Sequence, residues 1–150
     1  MSERNTRIIR FLEECGWKDA ARTSLAGDAS NRRYERITDQ SGEVAVLMDA
    51  PPDKNDPVTD FVRIAQHLRS VGLSAPEILA SDTEHGLLLL EDLGDDLFAR
   101  VLISQSDLEM PLYAAAIDVL VALHDTQPLP GLKTYGPEIM TDLAALSFEW

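Results

Sequence analysis

Residues 44–72 read VAVLMDAPPDKNDPVTDFVRIAQHLRSVG, an apolar run, a proline-rich break and a helical repeat in immediate succession. Val44 to Met48 is short and apolar, the pattern of a strand. Pro51, Pro52 and Pro57 remove backbone donors and restrict the residues before them, so residues 50–57 form a surface loop, neither a helix interior nor a central strand. Beyond the loop, Val58, Phe61, Ile64, Ala65, Leu68 and Val71 recur at helical spacing, and Gly72–Leu73 has the form of a glycine-terminated helix end. This is the one helix set among strands, and the fold class turns on it.

Upstream, Ile8, Ile9, Leu12 and Cys15 mark a short amphipathic helix over residues 6–15, with Thr6 as a cap and Gly16 as a stop. An extended run toward Leu25, a strand from Tyr34 to Thr38 and a turn at residues 39–42 lead into the strand at Val44, so the first three strands read as a meander. Downstream, Ile78–Ala80 and Gly86–Leu90 are apolar runs joined by a hairpin-like connection at residues 81–86. From Leu97 the pattern is helical: Leu97, Val101 and Leu102 on a short segment, then Leu112, Ala115, Ala116, Val119, Leu120 and Leu123 on a longer one ending near His124. Five antiparallel strands with one inserted helix, followed by helices, make an α+β architecture and exclude a doubly wound α/β sheet. The chain carries no internal repeat and no low-complexity segment.

With 150 residues and 45% hydrophobic content, the chain suffices for one packed domain or two small lobes. It holds no run of about twenty apolar residues for a membrane span, and its charged start, MSERNTRIIRFLEEC, is not a signal peptide, so a cytoplasmic location is expected. Cys15 is the single cysteine, which excludes an internal disulfide, and no Cys/His set has zinc-ligand spacing. A net charge of −13 repels nucleic acid and anionic membranes. Residues 1–50 hold eight basic and nine acidic residues, residues 51–100 four and ten, and residues 101–150 one and seven, so most cations lie in the first third.

Those cations surround LAGDASNRRYERI, residues 25–37. This segment is not a Walker loop, for which GK[ST] would have to follow Gly27, nor the three-glycine dinucleotide fingerprint. Gly27, Ala29 and Ser30 are small enough to bring backbone N–H groups near an anion, and Arg32 or Arg33 offers a bidentate fork. The same residues make an ordinary polar turn, which on composition alone is the simpler reading. AVLMDAP (residues 45–51) is either a strand presenting alternate side chains to a base or a buried strand, and LLLLEDLGDDLF (residues 87–98) either offers backbone groups to an adenine edge or is a plain strand end. His124, closing VLVALHD, fits a capping or core histidine better than a ligand.

Taken in order, GDASNRRYERI, AVLMDAPP, FVRIAQHLRSVGLSAPEILA, GLLLLEDLG and LYAAAIDVLVALH resemble the N-terminal lobe and first C-lobe helices of the aminoglycoside phosphotransferase family, a branch of the protein-kinase-like fold. Within it the likeness is nearest to bacterial kinases that phosphorylate N-acetylmuramate or N-acetylglucosamine at the anomeric position, and it runs from about Ile8 to His124. The resemblance implies a kinase-like N-lobe over residues 1–93, then the hinge and the start of a helical C-lobe over residues 94–150. It implies that Gly27, Asp28, Ala29, Ser30, Asn31, Arg32 and Arg33 form the loop over the ATP phosphates and that Val46 and Met48 lie under it. Leu89 and Leu90 lead into the hinge, where Glu91, Asp92 and Leu93 meet the adenine by backbone atoms, and Leu123–His124 pack behind the catalytic loop. ATP and Mg²⁺ are the implied cofactors, with a small-molecule hydroxyl, a sugar or amino sugar, as acceptor.

Two departures stand out. Kinase-like folds place a lysine on the third strand, paired with a helix glutamate, to hold the α- and β-phosphates; here the strand reads Val46-Leu47-Met48-Asp49 and the helix begins Asp60-Phe61-Val62. The amino-sugar kinase branch is similar in that absence, and Arg32 and Arg33 are the candidate replacements. Second, the catalytic aspartate of an H-x-D-x-x-x-x-N loop and the later metal-binding aspartate do not occur before Trp150; His124-Asp125-Thr126 lacks the downstream asparagine. The 150 residues therefore read as the front of a longer enzyme, inactive alone, with the metal ligands expected beyond Trp150. A non-catalytic nucleotide- or partner-binding domain, and a domain whose hairpin holds no ligand, remain the alternatives.

Overall fold

The computed structural model describes residues 2–26, 31–55 and 57–146. Its elements are α1 (Glu3–Glu14), β1 (Ala21–Ser24), β2 (Arg33–Thr38), β3 (Val44–Asp49), α2 (Val58–Ser70), β4 (Ile78–Asp82), β5 (Leu87–Glu91), α3 (Phe98–Ser104), a one-turn helix (Ser106–Leu108), α4 (Glu109–His124) and α5 (Pro137–Ala145). The strands form one antiparallel sheet in the order β1-β2-β3-β5-β4. The first three strands are the expected meander. After α2, the helix expected among the strands, the chain enters at the far edge as β4 and turns back so that β5 lies between β3 and β4.

The four consecutive leucines of β5 report its place. Alternation is the mark of a strand with one wet face, and a continuous apolar run the mark of one covered on both. Leu87 to Leu90 are all buried. Leu87 and Leu89 join Ile37, Ala45 and Leu47 beneath Ile8, Phe11 and Leu12 of α1. Leu88 and Leu90 join Met48 and Ala50 against Val58, Phe61 and Val62 of α2. The sheet is thus sandwiched, with α1 on one face and α2 on the other.

Both helices end as their glycines predict. In α2 the Leu73 N–H donates to Leu68 O at 2.9 Å and the Gly72 N–H to Arg69 O at 3.0 Å, with Gly72 at φ +84°. Gly16 closes α1 in the same way, through Trp17 N–H to Leu12 O at 2.8 Å. The start of α1 differs from the sequence expectation: Ser2, not Thr6, is the cap, its Oγ accepting from the Asn5 N–H at 3.3 Å. Residues 3–5 are polar, so apolar periodicity begins one turn after the helix does.

Arg4 fastens α1 to the sheet. It bonds buried Asp49 through Nε at 2.8 Å and donates from Nη1 to His85 O at 2.6 Å. The neighbouring Gly86, at φ +66°, accepts from the Ala50 N–H at 2.9 Å, and a Cβ there would collide with the Ala50 carbonyl oxygen. Position 86 therefore needs glycine for both conformation and space.

The helices after β5 are different in kind. Among the described residues α3, α4 and α5 bury none, and Met110, Tyr113, Ile117, Leu120 and Val121 of α4 are exposed. Phe98 and Tyr113 meet edge to face at 5.8 Å, and Arg63 Nη1 of α2 donates to Pro130 O at 3.0 Å. None of the described helices is long and apolar enough to cross a membrane.

Gly86→Ala should destabilise the chain by roughly 2–4 kcal/mol in chemical denaturation, from left-handed strain and overpacking together. A loss within about 0.5 kcal/mol, the range of ordinary surface changes, would show that the Ala50–Gly86 contact is not needed.

Candidate functional site

Because partners in an antiparallel ladder point to one face, the register sorts the sequence candidates. Tyr34 pairs with Met48 and Met48 with Leu88; Arg36 pairs with Val46, Val46 with Leu90, and Leu90 with Ile78. These two rows lie on the α2 side. Met48 and Leu88 are fully covered by α2, while Val46, Tyr34 and Ile78 are only partly buried. The second row forms an apolar shelf, with Leu90 buried and Val46 and Ile78 partly buried in the same cluster as α2, that runs toward the connector that follows β5.

The two arginines separate. Arg33 pairs with Asp49, which belongs to the α1 side. Arg32 lies with α2, its guanidinium carbon 5.9 Å from the centre of the Phe61 ring. Asn31 Nδ2 donates to Lys54 O at 3.0 Å, tying the end of the loop to the proline-rich segment. Gly27, Asp28, Ala29 and Ser30 lie outside the described residues. The structure thus brings Arg32 to the same side of the sheet as Val46, Met48 and Leu90, ties Asn31 to the proline-rich segment, and puts Arg33 on the other side.

At the connector, the Glu91 N–H is engaged by Glu77 O at 2.9 Å, and the Glu91 carboxylate accepts from the Glu77 N–H at 3.0 Å and from Arg69 Nη1 at 3.3 Å. The Glu91 amide is therefore already engaged within the sheet edge. Asp92 is nearly buried. Its Oδ2 accepts from Arg36 Nε at 2.5 Å, and its Oδ1 accepts from Arg36 Nη2 at 3.1 Å and from the Gly94 N–H at 2.8 Å. Asp95 takes two further bonds from the same guanidinium, at 2.8 and 3.2 Å. Leu93, between them, is exposed.

Where a strand lysine and helix glutamate would meet, the contact is apolar. Met48 is enclosed by Val58 and Leu88, and the first-turn acid of α2, Asp60, pairs with Arg63 at 3.4 Å. Among the described residues no three His, Cys, Asp or Glu side chains cluster as a metal site.

The profile described as the phosphotransferase enzyme family, APH, matches residues 22–147. The chain belongs to this phosphotransferase family. Relatives named N-acetylmuramate/N-acetylglucosamine kinase are similar to it. That of Caulobacter vibrioides is 40% identical over 89% of this chain and 43% of its own length. That of Pseudomonas aeruginosa is 35% identical over 93% and 41%, and that of Neisseria meningitidis 33% identical over 89% and 40%. The chain spans about two fifths of the length of these relatives.

In this family member the loop, the shelf and the connector carry candidate signals in the sequence, whereas Arg36, Asp95 and Phe61 do not. Phe61 carried only a helical-core signal. Arg36 sits in RYERIT with acceptors 56 and 59 residues away, a spacing that no local pattern encodes. Its only mark was a charge at an alternating position of a half-covered strand.

Hydrogen bonds from Arg36 hold the carboxyl groups of both Asp92 and Asp95 below the usual carboxylate range, and the same bonds raise Arg36. A depressed folded-state pKa adds stability above the unfolded value, about 3.9 for aspartate. That stability is lost as pH falls through the folded value. Asp92→Asn should therefore lower the melting temperature at pH 7, with the gap to wild type closing as pH drops below about 4. A gap of unchanged size at pH 2 would contradict an ionic origin.

Proposed function

We propose that this chain forms the nucleotide-binding part of an ATP-dependent phosphotransferase acting on a sugar hydroxyl, with residues 1–93 as a kinase-like N-lobe and residues 94–150 as the hinge and the start of a helical lobe. One observation carries the reading. The α2 side of the sheet carries an apolar shelf, partly buried Val46 beside buried Leu90, that leads into the connector backbone, and Arg32 lies on the same side of the sheet over Phe61. Such an arrangement suits a nucleotide: apolar side chains for a planar base, backbone groups beside it and a cation toward the phosphates.

In this reading the carbonyl of Glu91 and the backbone of Asp92 and Leu93 meet the base edge. Asn31 and Arg32, with residues 27–30, cover the phosphates. Arg32 takes the electrostatic role that a strand lysine has elsewhere, since Met48 at that strand is buried and uncharged. Arg33, on the α1 side, has no such role. Bound ATP supplies the phosphoryl group; the acceptor oxygen bonds to the γ-phosphorus as the bond to the bridging oxygen breaks, and the hydroxyl proton goes to a base. None of the residues named above is given the part of that base or of a Mg²⁺ ligand. The exposed apolar side chains of α4 suit a surface on which the rest of a helical lobe packs. The relatives' names favour an amino sugar as acceptor.

Calorimetry of ATP–Mg²⁺ binding tests the loop. Arg32→Ala should weaken binding by roughly tenfold or more, the loss of about one charge-assisted contact. Arg33→Ala should leave affinity within about twofold, well under 1 kcal/mol. Equal losses, or none in Arg32→Ala, would overturn this assignment.

The absent lysine–glutamate pair favours a second reading, a kinase-like domain that binds nucleotide without chemistry. Joining residues 1–146 to the remaining part of the Caulobacter vibrioides relative separates the two. ADP release with N-acetylmuramate or N-acetylglucosamine supports the kinase. ATP binding without turnover on any amino sugar, while the relative itself turns over, supports the non-catalytic domain.

A further inference from the structure

The most extensive ion network among the described residues lies at the rim of the proposed cleft. Arg36 begins in the middle of β2 and shares a row with Val46 and Leu90. Neighbouring strands are about 4.8 Å apart. From that row the arginine side chain reaches Asp92, two residues beyond Leu90 at the connector end of the sheet. There it makes four hydrogen bonds to two carboxylates, between 2.5 and 3.2 Å. Asp92 passes the constraint on by accepting from the Gly94 N–H, where the backbone turns at φ +80°. Asp95 passes it to α3 through Arg100 Nη1 at 3.7 Å.

Burial grades the two arms. Arg36 and Asp92 side chains are 26% and 7% exposed, and Asp95 is 53% exposed. The Asp92 arm is a held, bidentate pair of the kind that fixes geometry. The Asp95 arm is a wet one that contributes less. A guanidinium can serve both carboxylates at once because its five donors form a planar fork; a lysine cannot.

We propose that Arg36 is a positioning residue for the nucleotide. Through Asp92 and Asp95 it locks the connector against the sheet, so that backbone groups of residues 91–93 stand ready for the base. This inference rests on the nucleotide reading above. Binding then meets a connector already in its competent form. Where that form is populated only about one tenth of the time, apparent affinity falls about tenfold.

The test measures ATP–Mg²⁺ affinity by calorimetry and amide hydrogen exchange of residues 92–97 without nucleotide, in this chain. Arg36→Met keeps the apolar stem and removes the fork. It should speed exchange at residues 92–97 and weaken ATP about tenfold. Arg36→Lys should recover part of the affinity, and Asp95→Asn, an exposed change that keeps the Asp92 arm, should lie between wild type and Arg36→Met. Should Arg36→Met fail to fold, Arg36→Lys and Asp95→Asn carry the same comparison. Arg22→Met removes an ion pair of similar exposure, Arg22–Glu35 at 2.5 Å, elsewhere on β1–β2 and serves as control; it should leave affinity unchanged. Faster exchange with unchanged affinity, unchanged exchange, or an equal affinity loss in Arg22→Met would each overturn the positioning role. Wild type that binds no ATP overturns the nucleotide reading itself, and with it this inference.

Discussion

The β3–β5 pair is covered on both faces, and the other elements take their places from that constraint. A strand such as Leu87–Glu91 needs apolar cover above and below. α1 supplies one cover through Ile8, Phe11 and Leu12, and α2 the other through Val58, Phe61 and Val62. Returning from α2 to a strand at the far edge, and folding back, puts β5 in the centre without a parallel crossover. Arg4 on Asp49 and the glycine at position 86 then close the α1 end of the sandwich.

One consequence is electrostatic. The α2–sheet contact is filled with Met48, Leu88 and Val58, leaving no place for a buried ion pair at the strand position where kinase-like folds carry one. Positive charge on this side of the sheet stands instead at its margins, Arg32 over Phe61 and Arg36 against the connector aspartates. Desolvating a cation is costly, and both marginal arginines keep part of their surface wet or paired. The apolar core and the polar rim are thus one arrangement.

Much of this was readable in the chain. Proline spacing at 51–57, helical spacing at 58–71 and the unbroken leucines at 87–90 decide the fold class, because each reports backbone or burial locally. The family was legible in the ordered set of segments. Which of two adjacent arginines lies on the α2 side was not, since that depends on strand register, and register is a property of pairs. Nor was the Arg36 network, whose partners meet only after the whole sheet has formed. The start of α1 was misplaced by one turn because its first residues carry no apolar signal.

The proposed nucleotide site lies on the α2 side of the sheet, not the α1 side. Amide chemical-shift mapping by NMR during titration of the ¹⁵N-labelled chain with ATP–Mg²⁺ tests it most directly. Shifts should concentrate at Asn31 to Tyr34, Val46 and Leu90 to Leu93, with Ile8, Phe11 and Trp17 unmoved. Shifts clustered on α1 and its neighbours, or no shifts at saturating nucleotide, would contradict it.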